Sequence, residues 1–182
     1  MNTALAHAAL PTARAIRWAP AVCLAAVLVA ATLLARSAGR PADVVLAIAA
    51  AGLAATVVSG LHDPAAAMLS AVPVSVMQRR VLRLGLLGLP ALAVWFLLDS
   101  LTTARLSGPG PLLALTACGV AVALWAPQRR AVVLGASTPV ALFALQQFLP
   151  TGALSDRVGW WLTEPWWVLA GATLLCVAGR RR

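Results

Sequence analysis

Few residues in this sequence could carry chemistry, and their spacing assigns none of them a reaction. Cysteines stand at 23, 118 and 176, an odd set without a CxxC pair. Metal sites and disulfides need paired or clustered thiols, so Cys23, Cys118 and Cys176 read as small buried apolar residues. His7 and His62 are far apart with no second histidine beside either, which argues against a metal site. Asp99 and Glu164 fall near the ends of different apolar runs, where water reaches them. Neither Gly-x-Ser-x-Gly nor His-Glu-x-x-His occurs. All 14 basic residues are arginine; without lysine there is no P-loop contact to phosphate and no Schiff-base nucleophile. The expectation is a chain that is not an enzyme and holds neither cofactor nor metal. Gln146 and Gln147 form the most polar pair inside an apolar run, suited to hydrogen bonds between helices or to lining a substrate path.

The elements that position these residues are set by composition. Of 182 residues, 62% are hydrophobic and 10% charged, with a mean hydropathy of +0.90. Soluble domains are about 45–50% apolar and about 25% charged. A transmembrane helix takes roughly 20 residues, so the length holds about six spans and little else. A large aqueous catalytic domain is excluded. The net charge of +9 fits topology signals and lipid-headgroup contacts. Nucleic-acid binding would need a basic face with polar or aromatic platforms, and the sequence has none.

Six apolar runs are predicted as spans: Trp18–Ala35, Ala42–Leu61, Leu84–Leu101, Leu112–Ala126, Ala131–Leu149 and Trp160–Ala178. The strongest break between them is Ser107-Gly108-Pro109-Gly110-Pro111, and a second loop is expected over 150–159. Pro90 and Pro139 fall inside spans. With the N-terminus in the cytoplasm, ten arginines (14, 17, 79, 80, 83, 129, 130, 180, 181, 182) lie inside and four (36, 40, 105, 157) outside. The apolar runs predict an all-α integral membrane protein, the lysine-free, Ala-, Gly- and Pro-rich composition suggests a bacterial plasma membrane, and the positive-inside rule sets the orientation. The chain would be one transmembrane domain over 1–182 with both termini cytoplasmic and residues 1–17 as a cytoplasmic segment. Trp18 and Trp125 are placed at inner span ends, and Trp160, Trp161, Trp166 and Trp167 at the outer end of the last span, where indoles favour the headgroup level. Trp95 reads as a core residue.

Residues 61–83 join the second and third spans on the cytoplasmic side. Asp63-Pro64 reads as a helix start, with aspartate as cap and proline in the first turn. Met68 and Leu69 lie in that short helix, which is expected to end before Pro73. Beyond it, Met77, Val81 and Leu84 recur at helical spacing, with Arg79, Arg80 and Arg83 clustered on a separate face. The pattern predicts an interfacial helix, elbowed at Pro73, with its arginines toward lipid phosphate or a partner.

This order of parts resembles the ABC-2-type transporter permeases, in particular short actinobacterial membrane subunits that work with a separate ATPase. The likeness rests on Asp63-Pro64, Pro73, Arg79-Arg80 and Arg83, and on the inner turn Pro127–Arg130. It implies a homo- or heterodimeric permease subunit in which 65–78 docks on a cytoplasmic ABC ATPase. Arg79, Arg80 and Arg83 would then anchor the joint at the lipid surface. The residues alone leave other readings open: a lipid-anchored connector in a membrane scaffold or assembly protein, or the substrate-capturing subunit of a vitamin-type uptake transporter. The last needs a polar pocket open to the outside.

Overall fold

The computed structural model describes residues 18–39, 43–61, 76–102, 108–127 and 130–179. All regular structure among them is helical: α1 (Trp18–Ser37), α2 (Asp43–Ser59), α3 (Val76–Leu101), α4 (Gly110–Trp125), α5 (Ala131–Phe148), α6 (Ala153–Val158), α7 (Trp160–Thr163) and α8 (Pro165–Gly179). Three stretches are long and apolar enough to cross a membrane: α1, Arg80–Leu101 of α3, and α5. The other apolar helices are shorter, with 17 residues in α2, 16 in α4 and 15 in α8.

The core is built around α2, which packs on α1, α3, α4 and α5. Its sequence is apolar on every side, and such a helix belongs in an interior. Ala47, Ala49, Ala50, Ala51 and Ala54 are all buried. Their small side chains let neighbouring helices come close, which gains dispersion contacts where solvent supplies no hydrophobic drive. Gly52 continues that surface, and the Leu24 side chain of α1 lies against it.

A close crossing joins α4 to α5. A Cβ on Gly119 would stand 2.7 Å from the Gly135 carbonyl oxygen, and a Cβ on Gly135 would stand 2.7 Å from that of Gly119. Glycine hydrogens occupy those two places, and only they fit. Pro139, buried inside α5, has no N–H to offer the carbonyl four residues back. That carbonyl belongs to Gly135, the one facing Gly119. A proline is tolerated here because a neighbouring helix approaches the freed group, close enough for Cα–H···O contact. Val58 of α2 closes the third side.

A Cβ on Gly110 would meet the Pro165 ring, and one on Gly179 would meet Trp125. Both starts and both ends are thus paired, so α4 and α8 run parallel. Gly108, at φ +63°, turns the chain into α4, with Pro111 in the first turn of that helix.

Two expectations are corrected. The run Trp160–Ala178 is broken at Glu164 (φ −132°, ψ 55°) into α7 and α8, because Pro165 bars the helical conformation at the residue before it. The connection over 150–159 also contains α6. Separately, Met77 and Arg79 lie in the first turn of α3, one helix continuous to Leu101. Nothing between Val76 and Leu84 interrupts the backbone ladder, so this part of the interfacial segment is the start of the third long helix.

Candidate functional site

Residues 62–75 lie outside the described residues, and with them Asp63, Pro64, Met68, Leu69 and Pro73. Of the expected arginine face, Arg80 is exposed but Arg83 is only 5% exposed. This corrects its placement at the lipid surface. The reason lies in the stripe it begins: Arg83, Leu87, Ala91, Trp95 and Leu98 are all buried, at spacings of four, four, four and three. Those spacings keep one face of α3 turned inward, and Leu87 meets Gly60 at the end of α2. An arginine in an apolar helix is costly and marks a functional position by default.

The other end of the same stripe is also polar. Trp95 is fully buried, and its indole Nε1 has no hydrogen-bond partner among the described residues. Asp99 follows one turn later, and its Oδ1 is likewise buried and unpartnered. Asp99 was expected in contact with water; half-burial of the side chain shuts one carboxylate oxygen away. A donor and an acceptor therefore sit one turn apart on one face without reaching each other.

Contacts within the bundle fix the height of this pair. Gly60 is level with Leu87, and Val58 is level with Gly119 and Gly135. Counting about 1.5 Å per residue from these points, Asp99, Gln146 of α5 and the first turn of α4 fall at the same end. There the Gln146 Oε1 is buried without a partner, while its Nε2 would lie 3.2 Å from a Cβ on Gly159. Gln147 is exposed. The expected hydrogen bond from this pair to a neighbouring helix is not made to any described residue. Two residues beyond Gly159, Trp161 is buried, and its Nε1 is also unpartnered. Trp161 shares the core cluster with Leu112 and Leu115 of α4, which corrects its placement at the headgroup level. Trp160, Trp166 and Trp167 do face outward.

Two N–H donors, Trp95 and Trp161, and two oxygen acceptors, Asp99 and Gln146, are thus unsatisfied within the described residues; they form two pairs, since α3 packs on α1 and α2 while α5 packs on α2, α4 and α6. Each such group costs roughly 1–3 kcal/mol relative to a state in which it is bonded. Each pair suits water or a small polar group that both donates and accepts. Neither has a nucleophile beside a base. Among the described residues no cluster of His, Cys, Asp or Glu could hold a metal ion.

The cysteines are free thiols, with Cys23 exposed and Cys118 and Cys176 half-buried. The expectation of three buried thiols is corrected: α1 turns Cys23 outward, and α4 and α8 cover the other two only in part. Sequence spacing pointed to the arginine end of α3 but not to the Trp95–Asp99 pair; the available signal was an acid four residues after a tryptophan in an apolar run. Compared with protein-family models, curated proteins and solved structures, the chain matches none.

Proposed function

We propose that this chain is the membrane-spanning permease subunit of an ABC-type transporter, acting as a dimer and driven by a separate cytoplasmic ATPase. In this reading its six apolar helices cross a bacterial plasma membrane, with both ends of the chain in the cytoplasm. α2, α4 and α8 are short for a typical bilayer, and local thinning or the α7–α8 break accommodates the mismatch. The arginine-rich end faces the cytoplasm, which places the Trp95–Asp99 end outside.

The observation that supports transport over a passive scaffold is α3. One continuous helix, about 39 Å long at 1.5 Å per residue, begins next to the expected docking segment and ends at Trp95 and Asp99. Its inward stripe carries Arg83 near one end and unsatisfied polar atoms near the other. Displacement of the first turn by an ATPase would be carried along this one helix to a site whose hydrogen-bond capacity is unmet. A state opened to water or substrate meets that capacity, so the two states differ in polar contacts as a gated transporter requires.

The test is copurification in mild detergent. A cytoplasmic ATPase accompanies the parent chain, and Leu69→Pro removes it while the variant remains in the membrane fraction. An association that survives Leu69→Pro unchanged overturns the coupling role.

The unsatisfied Trp95 and Asp99 atoms favour one second reading, a substrate-capturing subunit of an uptake system. A small polar molecule that stays bound through purification, and is lost in Asp99→Asn, would select it.

A further inference from the structure

A second feature of the bundle is as dry as the first is polar. Near the end where α4 and α8 finish, α4 forms the floor of a groove of about 400 Å³, with α5 and α8 as its walls. Ala121 lies at the bottom; Val122 and Leu175 stand exposed at the lips. Its hydroxyl and indole N–H are already engaged. The Thr138 hydroxyl donates to the Leu134 carbonyl of its own helix at 2.7 Å. The Trp125 indole N–H donates across to the Leu175 carbonyl at 3.0 Å. An apolar cavity of this kind holds no ordered water, and a helix about 10 Å across does not enter a groove of this volume.

The sequence flanking its end is basic. Arg130 caps the start of α5 and is exposed. In sequence, Arg129 and Arg130 follow Trp125 by a few residues, and Arg180, Arg181 and Arg182 directly follow Gly179. Gly179 itself packs on Trp125: a Cβ there would lie 2.8 Å from the indole nitrogen. No aspartate or glutamate occurs between Asp99 and Asp156, or anywhere after Glu164. A hydrocarbon slot therefore ends at an indole, with Arg130 exposed at the start of the neighbouring α5.

We propose that this groove seats one acyl chain of an anionic phospholipid, with the lipid phosphate held at the arginine end beside Arg130. The chain lies over Ala121 between Val122 and Leu175, and Trp125 marks the depth at which hydrocarbon gives way to headgroup, where indoles are enriched. Arginine is the residue suited to phosphate, since its planar fork donates two parallel hydrogen bonds. The site rests on the membrane reading of the chain but not on its role in transport.

The full chain is reconstituted in vesicles of equal parts phosphatidylcholine and phosphatidylglycerol. Flotation with the vesicles is measured first. After extraction into detergent, the lipids that stay bound are counted by native mass spectrometry. The parent chain is expected to retain phosphatidylglycerol in preference to phosphatidylcholine. Val122→Trp and Thr138→Phe, which place a ring in the groove at positions that are not fully buried, are expected to lower retained lipid by roughly ten-fold each. Arg130→Gln is expected to lower the preference for the anionic lipid about five-fold while leaving zwitterionic lipid in place. Val27→Trp, on the exposed side of α1, is expected to change nothing. Retention by both groove variants at the parent level, with flotation intact, overturns the site. Equal retention of the two lipids by the parent overturns its anionic character. A parent chain that does not float with vesicles overturns the membrane reading and this proposal with it.

Discussion

Gly119 and Gly135 show how much a single hydrogen atom decides at close range. Each Cβ position is 2.7 Å from the other residue's carbonyl oxygen, and backbone cannot move aside as a flexible side chain can. Gly119→Ala or Gly135→Ala is therefore expected to destabilise the bundle by about 1–3 kcal/mol, read as a lower melting temperature in detergent. Gly85 has nothing within 4 Å of its Cβ position. Gly85→Ala should raise stability by about 0.5–1 kcal/mol, because alanine loses less backbone freedom in a helix. Equal effects at the two kinds of site would refute the crossing. The polar set makes a different residue-scale claim. Trp95→Phe removes an N–H that has no partner and keeps most of the apolar contact, so its effect on stability should be small while transport or ligand retention falls. A large loss of stability would mean that the indole is bonded.

Among the elements, α3 carries the proposed coupling, and Pro90 lies within it. That proline is exposed, has no N–H for the Leu86 carbonyl, and gives the helix a place to bend. Pro90→Ala restores one backbone hydrogen bond and is expected to raise stability by up to about 3 kcal/mol. If the helix acts as a lever that flexes during the cycle, the same change lowers ATPase-driven transport. Unchanged transport in the stiffened variant would remove Pro90 from the mechanism. The break before α8 has a comparable origin. Pro165→Ala permits α7 and α8 to join, and the expected result is a gain in helical circular dichroism of a few residues. Gly110 and Pro165 are packed together, so the gain should come with looser seating of α8 on the first turn of α4.

At the scale of the molecule, the bundle is organised about its shortest-chained surface. α2 is buried along most of its length, while α1 and α5 leave large apolar side chains such as Leu34, at 69% exposed, and Val133, at 70%, on the outside. An interior of alanine wrapped in exposed leucine and valine inverts the water-soluble pattern, as lipid permits. A whole-chain prediction follows from arginine placement. Alkaline phosphatase fused ahead of Trp18 or after Gly179 should be inactive, and fused within 103–107 it should be active. Activity at only one of the two ends would contradict an even number of crossings.

Sequence alone determined the class of element. Apolar runs of 15 to 20 residues bounded by prolines, glycines and arginines can satisfy their backbone in an apolar setting only as helices, and those boundaries agree with most of the helices described. It also marked Pro139 and the Gly108–Pro111 turn, because those residues constrain backbone through their own covalent structure. Which glycines are indispensable, which tryptophans are buried and where Arg83 turns were decided by tertiary structure. Gly85 and Gly119 look alike in the chain, as do Trp160 and Trp161. When helices are apolar all round, periodicity cannot say which face is inward; only the neighbours that pack against each helix do that.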